Sequence, residues 1–255
     1  MSLAHSFIDL NRKASRAVES RLPNLFKQHL HTLYKFRVAD LINEQRARVT
    51  LDVGTGKECP FLPFVRDPRL HVIIGVDCSE HELSRNADLP LKIVADAAGG
   101  LPFRDGSMDL VVSRSVVEHI KDNHAFFADC SRVLGPGGIL VHTFPGKFTP
   151  FALLNRMMPN ALAKRLLAYL HPDWKDECGF IAYYDKCYFS AIQKLLDQNG
   201  LCDAQFTFRY YQSIYYEFFF PLYAVMLLYD LVIWFFGIRN FACGILFVAS
   251  RGSPD

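Results

Sequence analysis

Short apolar runs separated by helical stretches dominate the middle of the chain. The runs predict five strands, at Val49–Val53, Val72–Val76, Lys92–Val94, Met108–Val112 and Ile139–His142. The stretches Phe61–Val65 and Asn123–Leu134 predict helices between them. Nearly continuous apolar strands that alternate with helices are typical of a parallel sheet covered on both faces. Ligands bind such sheets at the carboxyl ends of the strands, so we expect the functional residues there.

The segments on either side of this region are helical or strongly apolar. Residues 1–47 predict N-terminal helices, and residues 48–255 predict one α/β domain with two insertions. The first insertion, residues 148–188, has the spacing of an amphipathic helical cap. The second, residues 213–240, is a hydrophobic segment rich in aromatic side chains.

The hydrophobic segment 213–240 requires its own interpretation. Its uncharged part, Phe218–Tyr229, would extend about 18 Å as a helix, whereas the hydrocarbon core of a bilayer is about 30 Å thick. The strands predicted before and after the segment belong to one sheet. A segment that enters the membrane therefore has to return to the same side. We therefore expect a monotopic anchor that dips into one leaflet. Packing on the protein's own helices or against a second copy is the alternative.

The composition narrows the range of partners. A formal net charge of +2 and the lack of a nucleic-acid-binding signature predict no nucleic-acid partner. Seven cysteines without a C-x-x-C pair favour reduced thiols over disulfides or a structural metal. The N-terminal segment lacks the basic head and apolar core of a secretory signal. We expect a cytoplasmic location, peripheral or monotopic at the inner face of the membrane.

Acidic residues lie at the ends of three predicted strands. Asp52 is followed by Gly54 and Gly56. Glycines allow a strand to turn directly into a helix, and they allow a ligand to approach the backbone of that turn closely. Asp52 can face the positively charged amino group of a ligand. Asp77 can accept both hydroxyls of a ribose, and Asp96 can accept from an adenine amino group. Together these acids indicate a site for S-adenosylmethionine.

A dinucleotide site is the competing interpretation of the same glycines. Its G-x-G-x-x-G fingerprint needs a third glycine where this chain has Cys59. The acid before the first glycine would also repel a pyrophosphate. An NAD-linked oxidoreductase therefore remains the less favoured alternative.

With these motifs the chain resembles the class I S-adenosylmethionine-dependent methyltransferases, in particular the small-molecule group of ubiquinone and menaquinone biosynthesis. The motifs that carry the resemblance are Asp52–Gly56, Gly75–Asp77, Ala95–Ala97, Leu101–Phe103, Ser107–Val111, Val116–Ile120 and Val133–Gly138. They lie within Val49–His142, and the chain departs from the family at Glu58, where a third glycine is usual.

The resemblance implies both a fold and a set of cofactor contacts. The fold is a three-layer, Rossmann-like α/β fold with a seven-stranded sheet, whose antiparallel last strand would be Cys243–Ser250. The implied cofactor contacts are Asp52, Gly54, Thr55, Gly56, Asp77, Cys78, Asp96, Ala97 and Ser113.

Methyl transfer to a hydroxyl requires alignment, exclusion of water and removal of one proton. His119, next to Glu118, is the first candidate for the base, and His142 is the second. In some relatives a second carboxylate completes a divalent-metal site with the residues that correspond to Glu118 and His119. This chain has Ser115 at that position, so we predict no metal. We expect an apolar or lipid-linked small-molecule acceptor. A non-catalytic scaffold of a membrane assembly is the alternative from a different class.

Overall fold

The computed structural model describes residues 3–44, 46–158, 165 and 180–252. Its strands are β1 (Val49–Val53), β2 (Val72–Asp77), β3 (Leu91–Val94), β4 (Met108–Arg114), β5 (Leu134–Pro145), β6 (Leu201–Arg209) and β7 (Gly244–Arg251). They form one seven-stranded sheet in the order β3-β2-β1-β4-β5-β7-β6. Strands β1 to β5 pair in parallel, and β7 is antiparallel. The predicted Rossmann-like fold is confirmed.

Three of the described helices begin at residues that suit helix starts. The helices that the structure describes are α1 (Leu3–Glu19), α2 (Leu30–Asn43), α3 (Glu80–Arg85), α4 (Asn123–Val133), α5 (Pro150–Met157), α6 (Phe189–Gln198) and α7 (Phe220–Phe235). The side chains of Ser79, Asp122 and Thr149 accept backbone N–H bonds at the starts of α3, α4 and α5. The predicted helix at Phe61–Val65 is only a 3-10 turn, Leu62–Phe64, because prolines in this stretch remove backbone donors.

The chain divides into two compact units. One unit comprises residues 29–145, 183–207 and 245–255 and contains β1 to β5. Its core includes Tyr34 and Val38 of α2, packed with Leu110 and Val112 of β4.

The other unit, which we call the α7 unit, comprises residues 1–28, 146–182 and 208–244. It contains α1, α5 and α7. Of the predicted cap at 148–188, the structure describes α5 and the stretch from residue 180 onwards, and the rest lies outside the described residues.

One helix, α7, fills most of the hydrophobic segment 213–240. Pro221 lies in its first turn, where a missing N–H costs nothing, and Gly237 follows its end with a φ of +60°. Among the helices that the structure describes, none combines the length and the apolar character needed to cross a bilayer.

Candidate functional site

Asp52 lies near the carboxyl end of β1, between Gly75 of β2 and Val112 of β4. It is only 3% exposed, and its Oδ2 atom accepts no hydrogen bond from the residues that the structure describes. Burial raises the pKa of Asp52 to about 7, against the opposing effects of the nearby Thr55 hydroxyl and Arg114 guanidinium. A cationic ligand beside this oxygen would stabilise the carboxylate. Asp52 thus has the charge and the unpaired oxygen that suit a ligand's amino group, contacted directly or through a water molecule.

The turn after β1 needs its two glycines for different reasons. Gly54 has a φ of +69°, and a Cβ atom there would clash with Cγ2 of Val116, so a side chain would strain the backbone and displace Val116. Gly56 has a φ of +57°, but a Cβ atom there would meet nothing within 4 Å. The backbone of Gly56 therefore borders open space, which is where a ligand can approach.

Thr55, between the two glycines, supports the turn from the inside. Its side chain is buried, and a Cβ atom on Gly75 would lie 2.6 Å from its Cγ2 atom. The predicted contact of Thr55 with a cofactor is therefore restricted to its backbone.

Asp77 ends β2 and is held by two backbone donors. Its Oδ2 atom accepts the N–H of Gly56 at 3.0 Å, and its Oδ1 atom accepts the N–H of Ser79 at 2.8 Å. Each carboxylate oxygen has a further lone pair, so this fixed carboxylate can still accept two hydroxyl groups. Cys78, the next residue, is exposed.

The end of β3 lies beside the end of β2. The N–H of Ala95 donates to the backbone oxygen of Asp77 at 3.0 Å. Asp96 is exposed, and its Oδ1 atom accepts the N–H of Ala98 at 2.9 Å, while Ala97 is half-buried. The structure therefore brings Asp77 and Asp96 to the same edge of the sheet, and their contact with an adenosine remains a prediction.

A cavity of about 430 Å³ lies beside the β1 turn. It is lined by His31, Thr32, Lys35, Glu58, Cys59, Pro60, Pro63, Phe64, Asp88 and Arg114. Glu58, at the position of the usual third glycine, forms an ion pair of 3.1 Å with Arg114. The Nε2 atom of His31 lies 3.4 Å from Oγ of Ser115, which has a φ of 57°.

Sequence reasoning missed His31 and Arg114. Arg114 is the last residue of β4, and the rule that places ligands at strand ends could have identified it. His31 comes from α2 and lies 84 positions from Ser115 in the sequence, so no local pattern reveals it.

His119 lies at the end of a 3-10 turn after β4, and its side chain is 31% exposed. Its Nε2 atom is 3.9 Å from Oε1 of Glu118, beyond hydrogen-bond distance. Burial raises the pKa of Glu118 to about 8, so Glu118 is mostly a neutral acid at pH 7. The predicted tuning of His119 by a neighbouring negative charge is therefore weak. Within the described part of the chain, no three His, Cys, Asp or Glu side chains are grouped to hold a metal ion.

His142 and Ser113 lie in the core, which corrects two predictions. His142 pairs with Ser113 across β4 and β5, and the Ser113 Oγ atom contacts its Nδ1 atom. Phe126, Phe127 and Phe247 surround its ring, with centroids 5.6 Å away. Burial lowers the pKa of His142 to about 3. An imidazole this deeply buried, with a pKa this low, is a poor base at neutral pH, and the Ser113 hydroxyl contacts His142 in the core rather than facing the turn after β1.

Known proteins similar to this chain share its central region. A family model described as a methyltransferase domain matches residues 51–142. An uncharacterized methyltransferase of Mycobacterium sp. (strain KMS) is 32% identical over 104 residues, which are 41% of each chain. The 2-methyl-6-phytyl-1,4-hydroquinone methyltransferase of Synechocystis sp. is 34% identical over 96 residues, which are 36% of this chain and 30% of that one. The match thus spans less than half the length of these curated relatives.

A solved structure shares the fold over most of the chain. It is a SAM dependent methyltransferase from Archaeoglobus fulgidus, with a TM-score of 0.54 and 16% identity. The match covers 89% of this chain and 97% of that one. At this identity the similarity shows the fold alone.

Proposed function

Residues 51–142 form a methyltransferase domain of the class I S-adenosylmethionine-dependent fold, and from this premise we propose that the protein methylates a hydroxyl of an apolar or lipid-linked acceptor at the inner face of the membrane. The observation that supports the methyl-donor part of the proposal is the buried, unpaired Oδ2 atom of Asp52, on the strand that leads into the Gly54–Gly56 turn. These residues fit S-adenosylmethionine, which supplies, when bound, a methyl group activated on its sulfonium.

The residues of the chain then have separate tasks. Ionised Asp52 holds the amino group of the methyl donor, and Asp77, fixed by the N–H groups of Gly56 and Ser79, holds the ribose. His119 removes the proton of the acceptor hydroxyl, because its partly exposed imidazole lies in the turn that follows β4. Alignment and one proton transfer are what the reaction demands of the protein.

Two observations support an apolar acceptor. The hydroquinone named for the Synechocystis relative carries a phytyl group, which is a long apolar chain. The α7 unit of this protein exposes large hydrophobic side chains, among them Phe235 at 79%. An acceptor that is itself apolar would be delivered from such a surface more readily than from water.

The proposal is tested by following the label from a radioactive methyl donor. Purified protein is incubated with S-adenosylmethionine labelled in its methyl group and with a membrane lipid extract, and an aqueous metabolite extract is run in parallel. We expect label in the organic phase. Label only in aqueous products would refute the lipid-linked acceptor. No transfer to either extract, with donor binding intact, would favour a non-catalytic scaffold.

The affinity for the methyl donor should rise with pH because of Asp52. Its pKa in the free protein is about 7, so below that value a proton has to leave before the cationic amino group is bound. We expect the affinity to increase about fivefold from pH 6 to pH 7, a range below the titration of the ligand's own amino group. Calorimetry at each pH measures the affinity, and Asp52→Asn should abolish its increase with pH. If the affinity of that variant still rose steeply with pH, the proton released on binding would come from another group.

A further inference from the structure

Helix α7 is apolar on its exposed side, and its buried side combines Leu227 and Ile233 with polar groups. Its buried side carries the polar groups of Tyr223 and Asp230. Its exposed side is a stripe with the three- and four-residue spacing of one helix face. We call this stripe the α7 face, and it consists of Pro221, Ala224, Val225, Leu228, Val232 and Phe235. A surface helix of a globular protein normally turns its apolar stripe inward.

Asp230 fixes this rotation of the helix. It is 0% exposed, and its Oδ2 atom accepts the N–H groups of Gln212 at 2.9 Å and Ser213 at 2.7 Å. Burial raises the pKa of Asp230 to about 6, with these N–H bonds opposing the rise, so the group is largely ionised at pH 7. A buried carboxylate with two backbone donors is costly to remove from its partners. Turning the α7 face inward would break both bonds.

Other contacts within the α7 unit hold the same orientation. The hydroxyls of Tyr211 and Tyr223 lie 3.3 Å apart, and the rings of Phe26 and Trp234 have centroids 5.2 Å apart. The outward direction of the α7 face is therefore set by specific contacts on the opposite side of the helix.

Exposed apolar side chains are concentrated in the α7 unit. Of the 25 large hydrophobic residues that are exposed in the described part of the chain, 16 belong to this unit, which contains 80 of the 229 described residues. They include Phe7 and Leu10 on α1 and Met157 on α5. Of these side chains, Val225, Leu228, Val232 and Phe235 repeat along one face of α7, and an exposed apolar patch of this kind marks a site of interaction.

The charges of the two units differ in sign. The ranges of the α7 unit contain 12 Lys and Arg against 7 Asp and Glu, a formal charge of +5. The rest of the chain contains 16 Lys and Arg against 19 Asp and Glu, a formal charge of −3. The partner of the α7 unit should therefore be apolar where it meets the α7 face and negatively charged overall.

We propose that the α7 face inserts into one leaflet of an anionic lipid bilayer, with α7 lying in the plane of the membrane. Its 16 residues make a helix of about 24 Å, shorter than the hydrocarbon core of about 30 Å. A second copy of the chain fits less well, because it would bring two positive units together. The α7 face also lacks the side-chain hydrogen-bonding groups that protein interfaces normally carry. This proposal names the lipid partner, and it rests on the proposed function only for the location of the acceptor.

The test is sedimentation of the full chain with phospholipid vesicles. Vesicles of phosphatidylcholine alone are compared with vesicles that contain about one third phosphatidylglycerol. The test variant combines Val225→Gln, Leu228→Gln and Val232→Gln on the α7 face. The control combines Leu70→Gln, Leu91→Gln and Val94→Gln, which are equally exposed apolar positions in the other unit. We expect the wild type and the control to bind the anionic vesicles, salt to weaken this binding, and the test variant to bind at least tenfold more weakly.

Two results would overturn the proposal. One is equal vesicle binding by the α7 variant and the wild type. The other is a stable dimer of the wild type in sedimentation velocity that the α7 variant loses, which would make the face an interface between copies. Calorimetry with S-adenosylmethionine shows that each variant is folded. It also separates the two proposals, because a loss of vesicle binding with intact donor binding leaves the methyltransferase function standing.

Discussion

Replacing Asp77 by alanine is expected to weaken the binding of S-adenosylmethionine about 100-fold, because two charge-assisted hydrogen bonds to the ribose are lost. The variant also loses the bonds that the carboxylate accepts from the N–H groups of Gly56 and Ser79. The turn that borders the ligand is therefore loosened at the same time. Isothermal titration calorimetry measures the change.

A surface aspartate provides the matched control for this variant. Asp67 precedes β2, is partly exposed and forms an ion pair of 3.1 Å with Arg69. Asp67→Ala should bind the donor as the wild type does. If Asp77→Ala also bound like the wild type, the assignment of the ribose to the end of β2 would be wrong.

Replacing His119 by alanine is expected to lower kcat for a hydroxyl acceptor about 100-fold or more, the usual contribution of a general base. The affinity for S-adenosylmethionine should stay unchanged, because the proposal assigns the donor to Asp52 and Asp77 and not to His119. Single-turnover transfer of a labelled methyl group measures the rate, and added imidazole should restore part of it.

The control for this variant is His124→Ala, an exposed histidine on α4, which should leave kcat unchanged. The cavity provides a competing candidate for the base. If His119→Ala retained its rate while His31→Ala lost it, the base would be the imidazole that contacts Ser115.

The strands and the acids at their ends could be predicted because both are local features. An apolar run identifies β1, and Asp52 is recognised as the acid near its end. Neither step depends on the rest of the chain. The positions of His142 and Ser113 could not be predicted in this way. The apolar run suggests that β5 ends at His142, but β5 continues to Pro145 and β4 continues to Arg114. Because side chains alternate along a strand, continued strands leave both residues inside the sheet layers.

The rotation of α7 could not be predicted for a similar reason. The sequence shows one acid in an apolar segment, and the helical pattern allows that acid to face solvent. Its partners are the backbone N–H groups of Gln212 and Ser213, which become available only through the fold of the preceding loop. The hydrophobic segment was thus recognisable, whereas the direction of its apolar face required the structure.

The most direct test of the central claim, that this domain binds a sulfonium methyl donor at the ends of β1 and β2, is calorimetry of the wild-type protein with S-adenosylmethionine and with its demethylated product. The account predicts saturable binding of both compounds at one site per chain, lost or strongly weakened in Asp77→Ala. Absence of binding by folded protein, or tighter binding of NAD than of S-adenosylmethionine, would contradict it.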